Sequence, residues 1–297
     1  MWIIKNKKIF LTISALLVGV SLLAVIVFGL KLGIDFKGGA QTEVKYVVRP
    51  APLEATTILH EAGITDAVVQ EVGIDTLSIK TRALSEKERQ DMVMTLQKIG
   101  QGGELENFNS IGPSVGRELV RKSLIAIILV SLAIVLFIAY AFRHVSRPVS
   151  SWRYGLIAIT TLIHDIAIPS GVFAVLGKIN GAEVDTLFVV ALLTVLGLSV
   201  SDTIVVFDRI RENLRLKKGA SFEETVGMSL SETFGRSINT SLTVIIALSV
   251  LYFLGPDTTK NFSLVLIVGM LVGTYSSIFV ASPLLTIVEK FQRRKRN

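Results

Sequence analysis

The sequence predicts an α-helical polytopic membrane protein of six transmembrane helices, with a small α+β ferredoxin-like extracytoplasmic domain between helices 1 and 2. Three observations carry that prediction. Of 297 residues, 51% are hydrophobic and only 19% charged, against about 25% charged in an ordinary soluble domain. Six runs are apolar over the roughly 20 residues that a bilayer crossing needs. Between the first two runs, residues 31–122 are polar overall and carry the alternation and caps of a folded domain. The mean hydropathy is +0.60. There is no cysteine, which excludes disulfides, thiolate zinc sites, iron–sulfur clusters and a cysteine nucleophile together.

The apolar runs are 9–30, 123–142, 152–176, 186–207, 237–254 and 262–288. The first is too long for the apolar part of a signal peptide, and no small-residue cleavage site follows it, so a retained anchor is expected. The last exceeds the usual length and should tilt or run past the bilayer at one end. Lys and Arg in the flanks set the orientation. Lys5, Lys7 and Lys8 precede the first run, and Arg143, Arg147 and Arg153 lie between the second and third. Arg209, Arg211, Arg215, Lys217, Lys218 and Arg236 lie between the fourth and fifth, and Lys290, Arg293, Arg294, Lys295 and Arg296 follow the sixth. The two short loops on the other side hold only Lys178 and Lys260. Both termini are therefore expected in the cytoplasm, with the chain multi-pass in the cytoplasmic membrane. The net charge of +7 is then a topology signal, and nucleic acid is not expected as a partner. The expected organisation is a cytoplasmic N-terminus and first helix (1–30), the outer domain (31–122), five further helices (123–288) with a cytoplasmic loop at 208–236, and a basic tail (289–297).

Within the outer domain, 41–48 alternates with Val44, Tyr46 and Val48 on one face, as a strand does. Pro50 and Pro52 bracket the start of a helix reaching about Ala62, with Leu53, Thr57 and His60 near one stripe. Residues 66–72 and 76–81 read as strands joined at 73–75. Ser85 and Glu88 form a capping box ahead of a helix with Met92, Leu96 and Ile99 inward. Gly102 and Gly103 close it, and 104–111 is a last strand. The order β-α-β-β-α-β is the split βαβ arrangement.

Ionisable residues inside apolar runs are costly unless paired or hydrated, and so point to function. Asp202 lies roughly 9 Å inside the cytoplasmic end of the fourth run by helix rise. Thr194, Gly197, Ser201 and Asp202 make one small, polar stripe that should face other helices. A carboxylate balanced between burial and a nearby cation can exchange a proton near neutral pH. Arg236 opens the fifth run, with Asn239, Thr240 and Thr243 on one stripe behind it. The fourth run descends and the fifth rises, so Asp202 and the Arg236–Thr240 turn fall at similar depth, and Arg236 is a candidate counter-ion. His164 and Asp165, with Thr161, form a second polar patch in the third run, followed by Pro169 and Gly171, which permit a kink. His60 and His144 are too distant in sequence context to complete a metal phosphohydrolase with that pair. Asp202 lacks the preceding glycine of an intramembrane aspartyl protease, and Lys37-Gly38-Gly39 lacks the Gly-Lys-Ser/Thr of a phosphate loop. No enzyme chemistry, cofactor or metal is expected. After the fourth run, Ser221 and Glu224 make a further capping box, and Phe222, Val226, Leu230 and Phe234 suggest a short amphipathic helix at the interface.

At these residues the chain resembles the SecD/SecF family of bacterial protein-export subunits, on its smaller, SecF branch, within the resistance–nodulation–division superfamily. Gly33-Ile34-Asp35-Phe36-Lys37-Gly38-Gly39 is similar to the family's G-x-D-F-x-G-G signature. The run from Asp202 through Asp208 and Arg209 to Asn213 matches its fourth-span motif, and His164-Asp165 and Arg236–Ser241 match in the third and fifth spans. Leu198 and Ser201 stand where many members have Tyr and Asn. The resemblance spans essentially the whole chain. It implies a SecD partner, association with the SecY–SecE–SecG channel and with YajC, translocating preproteins as cargo, and use of the proton motive force to assist export. Asp202, Arg236, Asp165, Asn239 and Thr240 are the candidate proton pathway. The rival readings are a self-contained homodimeric proton-driven exporter of small molecules and a non-transporting assembly scaffold.

Overall fold

Apolar runs form the long helices, and most of these helices extend past the apolar run into flanking polar residues. The computed structural model describes residues 2–143 and 149–294; His144, Arg147, Lys295 and Arg296 lie outside the described residues. Among the described residues, six helices are long and apolar enough to span a membrane. They are α1 (Lys7–Phe28), α4 (Pro113–Ala141), α5 (Ser151–Ile179), α6 (Thr186–Arg215), α7 (Phe222–Leu254) and a sixth run made of α8 (Asp257–Ser276), a π-helical turn (Ser277–Ala281) and α9 (Ser282–Arg294). Between α1 and α4 lie β1 (Gly39–Lys45), α2 (Pro52–Glu61), β2 (Val68–Val72), β3 (Thr76–Thr81), α3 (Glu86–Lys98) and β4 (Glu104–Ile111). The chain divides into two compact units, one holding residues 32–124 with 184–186 and the other the remaining helices.

The smaller unit is a four-stranded sheet of order β2-β3-β1-β4, antiparallel throughout. That is the strand order of a ferredoxin-like β-α-β-β-α-β chain. Its core is Val44, Tyr46, Leu77 and Ile79 from the sheet against Ala55, Leu59, Met92 and Leu96 from the helices. The Ser85–Glu88 capping box forms in full. The expected stripe of α2 is corrected: Leu53, Thr57 and His60 are exposed, and Ala55 and Leu59 face the sheet. Pro52 occupies the first turn, and packing of Ala55 and Leu59 on the sheet leaves Leu53 outward. Val48 is also exposed, because β1 ends at Lys45 and the chain has already left the sheet.

In the larger unit, the third and sixth spans are the most buried and the first and second the least. The core gathers Phe142, Tyr154 and Phe207, with Tyr154 stacked on Phe142 at 5.2 Å and edge-on to Phe207 at 5.1 Å. Close helix crossings sit on glycine. A Cβ at Gly171 of α5 would lie 2.5 Å from Cα of Ser21 in α1, and one at Gly269 of α8 would lie 2.1 Å from Val195 of α6. The expected separate interfacial helix is not formed: residues 222–254 are one continuous helix, α7. Val226 and Leu230 join the core, since no proline interrupts the run and the tertiary contacts sustain its polar middle. Ser221 caps α7, accepting from Glu224 N at 3.2 Å, but the Glu224 carboxylate takes the N–H of Ala220 and not that of Ser221. The π turn ends two residues before Pro283, whose ring cannot sit against the carbonyl four residues back in a regular α-helix.

Candidate functional site

α5 carries Asp165 into the middle of the helical unit, where it is completely buried. His164 Nδ1 lies 3.0 Å from Oδ1. Ser199 Oγ of α6 and Ser276 Oγ at the end of α8 both donate to Oδ2, the latter at 3.0 Å. Three donors from three helices thus converge on a group that, when ionised, can only accept. Pro169 has no N–H, so the Asp165 backbone carbonyl also lacks its regular helical partner. The His164 ring stacks on Tyr275 at 6.1 Å, and its Nε2 is buried without a hydrogen-bond partner among the described residues. Thr161, expected in this patch, is buried but donates to Ala158 O of its own helix at 2.9 Å. The network continues through Ser277, which lies 2.8 Å from Thr203 and 3.2 Å from the Ser199 carbonyl.

Asp202 is half-buried on α6 and lines a narrow cleft with Ser199, Leu198, Gly269, Gly273 and Thr274. The groups acting on its carboxylate are Ser237, Thr274 and the guanidinium of Arg236. Ser237 Oγ is buried and has no hydrogen bond of regular geometry among the described residues, and Thr274 Oγ1 is engaged with Ser241. Arg236 is exposed, and its charge reaches Asp202 without a hydrogen bond between them. Asn239 and Thr240 are not at the cleft. Both lie on the exposed face of α7, while Ser237 and Ser241 point inward. Thr194, Gly197 and Ser201 of α6 are likewise exposed.

The two motif segments are held by specific contacts. Gly33 N–H donates to Val184 O at 2.8 Å, and Asp35 Oδ2 accepts from Thr186 N, the first residue of α6, at 2.9 Å. Asp35 therefore caps that helix from a distant part of the chain. Phe36 is buried. Gly38 and Gly39 have positive φ, and Cβ atoms there would meet Pro113 at 2.8 Å and the Thr81 carbonyl at 2.7 Å. At the other end of α6, Asp208 pairs with Arg211, and Arg209 pairs with Glu212 and with Glu232 of α7 at 2.6 Å. Asn213 donates to the same Glu232 at 2.7 Å and to Ser229 at 3.0 Å.

Ser199, Ser276, Ser237 and Thr274 escaped the sequence reading, because serine and threonine are ordinary in membrane helices and nothing local marks which ones face a carboxylate. Glu223 escaped it too: it holds Lys7 and Lys290, 2.8 Å away, joining α7 to both ends of the chain.

The family model described as protein export membrane protein SecD/SecF, C-terminal, matches residues 92–291, and that for the SecD/SecF GG motif matches residues 23–47. The protein translocase subunit SecF of Thermobaculum terrenum is 44% identical over 95% of this chain and 92% of its own. That of Anaerolinea thermophila is 37% identical over 98% and 95%. The crystal structure of SecDF from Thermus thermophilus, a translocon-associated membrane protein, superposes with a TM-score of 0.83 at 29% identity, covering 96% of this chain. This chain spans 38% of that longer one.

Proposed function

The chain belongs to the SecD/SecF family of protein-export membrane proteins, and from that membership we propose that it is the SecF-type half of a two-part auxiliary unit of the Sec export machinery. It is a multi-pass membrane protein with both termini in the cytoplasm. It pairs with a six-span SecD subunit and works beside the SecY–SecE–SecG channel, with YajC as a further associate. Preproteins are its cargo, and lipid surrounds it. The unit draws on the proton motive force to assist translocation. A proton crossing 100 mV releases about 2.3 kcal/mol, and coupling needs a titratable group whose state biases a two-state element. The observation that carries this reading is Asp202, half-buried in a cleft inside a membrane helix with the Arg236 charge beside it. Protonation frees Arg236 from its counter-charge, and deprotonation draws it back.

The test is export into vesicles with ATP exhausted and a proton gradient imposed, with assembly of the complex measured in parallel. Asp202→Asn is nearly isosteric, so it should assemble and lose the gradient-dependent part of export. Arg236→Lys keeps the charge but not the planar fork, and should fall between wild type and Arg236→Ala. An assembled Asp202→Asn complex that responds fully to the gradient would make Asp202 a packing residue.

A further inference from the structure

We propose that the Ser199 hydroxyl passes protons between Asp202 and Asp165, so that the buried Asp165–His164 pair is a second proton-holding station within this chain. The inference rests on Asp202 titrating, as argued above, and adds a route and an end point. Among the described residues, Ser199 is the side chain that both lines the Asp202 cleft and donates directly to Asp165. The cleft is wide enough for about one water, with Asp202, Ser199 and Thr274 as polar partners to hold it. Asp165 itself is completely buried, so a proton reaches it only through a neighbour.

The transfer balances. Protonated Asp202 gives its proton to the cleft water, the water gives one to Ser199 Oγ, and Ser199 gives its own to Asp165 Oδ2. Asp202 ends ionised and Asp165 neutral, with the water and Ser199 unchanged. The groups facing Asp165 are His164, Ser199 and Ser276; those acting on Asp202 are Arg236, Ser237 and Thr274. The surroundings of Asp165 suit two states. Ser276 Oγ lies 3.0 Å from Asp165 Oδ2 and also 3.0 Å from the Gly273 carbonyl. It can donate to the carboxylate when Asp165 is ionised and turn to the carbonyl when Asp165 is neutral. The carbonyl belongs to the last turn before the π-helical segment, a departure from regular helix that recurs at functional sites.

The experiment uses the full chain co-purified with its partner and reconstituted in phosphatidylethanolamine–phosphatidylglycerol vesicles. A proton is released by a flash from a caged acid, and the carboxylic C=O stretch of Asp165 is followed by time-resolved infrared spectroscopy. The band is assigned by its loss in Asp165→Asn. Ser199→Ala should delay the rise of the band at least about a hundredfold, the lower end of the scale on which a positioned proton-transfer group acts, while Ser199→Thr keeps the wild-type rate. A merely structural role for Ser199 would change melting temperature without this rate. An unchanged rate in Ser199→Ala, an equal delay in Ser199→Thr, or no Asp165 band in the wild type at any pH would overturn the proposal. Should Ser199→Ala fail to fold, Asp202→Asn leaves the Ser199–Asp165 hydrogen bond in place and should delay the band as strongly; an undelayed band overturns the route. The spectra read proton movement without export, so failure of the coupling reading leaves them unchanged and is told apart.

Discussion

Asp165 is the side chain whose removal the helical unit should feel most. It accepts from His164, Ser199 and Ser276 with no solvent to replace it. Asp165→Leu would strand the buried groups of His164 and Ser199, while Ser276 keeps the Gly273 carbonyl, and leaving even one such group unpaired costs about 1–3 kcal/mol. Thermal unfolding in detergent should show a loss of about 3 kcal/mol or more for Asp165→Leu and a smaller one for Asp165→Asn, which retains an acceptor oxygen. Equal stability of all three would mean the network is not formed. The acids themselves were legible in the sequence, since an aspartate in an apolar run stands out. Their partners were not. Ser199 and Ser276 reach Asp165 from other helices, and only packing selects them among many similar residues. The fifth span shows the same limit: polar residues occur on two faces, and the periodicity that grouped Arg236, Asn239 and Thr240 is equally satisfied by Ser237 and Ser241, the pair that points inward.

Helix α3 and the α1–α5 crossing make the clearest predictions about whole elements. Hydrogen bonds from Arg89 and Gln90 hold Glu86 down at about 2, and those from Arg82 and the Ser85 cap hold Glu88 down at about 2. Both carboxylates therefore favour the folded helix above their ordinary value of 4.5, and that contribution is lost as pH falls toward about 2. Amide exchange of α3 in the full chain, corrected for intrinsic rates, should lose protection over that window, and Glu88→Gln should flatten the dependence. At the crossing, Gly171→Ala forces a methyl to 2.5 Å from the Ser21 backbone and should cost about 1–3 kcal/mol. Gly19→Ala in the same α1 meets nothing within 4 Å and should stabilise by about 0.5–1 kcal/mol. Melting both in the same detergent checks the contrast; a harmless Gly171→Ala would mean the helices do not pack through that glycine. Element types and the bounds of β3 and β4 came through from patterning and caps, because these are local, whereas β1 runs over Gly39–Lys45 and not 41–48, and β2 begins at Val68 and not at 66. The continuity of α7 did not, since the apolar run begins only at 237 and the Phe222–Phe234 stripe read as a separate interfacial helix, whereas the bond from Arg209 to Glu232 and the burial of Val226 and Leu230 fit one helix that runs on.

For the molecule as a whole, the surface of the helical unit asks for a partner. Thr194, Gly197 and Ser201 on α6 and Asn239, Thr240 and Thr243 on α7 are exposed, although they lie within apolar membrane runs. Small and polar residues in such helices favour contact with other helices over lipid. A SecD subunit seated there would cover both stripes, so the chain purified alone should self-associate in detergent, and co-expression with its partner should yield a stable complex. A monodisperse, stable monomer would remove the argument for that surface. The side of the membrane on which each segment lies follows from charge alone and is open to a direct check, because the chain has no cysteine and a single introduced one reports without background. Thr65→Cys, in the domain between the first two spans, and Asp257→Cys, before the sixth, should react with an impermeant thiol reagent from outside intact cells. Lys218→Cys, in the turn between α6 and α7, should react only after permeabilisation. Its neighbours Arg209, Arg211, Arg215 and Lys217 carry the charge that the positive-inside rule keeps in the cytoplasm. External labelling at Lys218→Cys would invert the topology, place Arg236 at the outer end of its span, and reverse the direction in which a proton must reach Asp202.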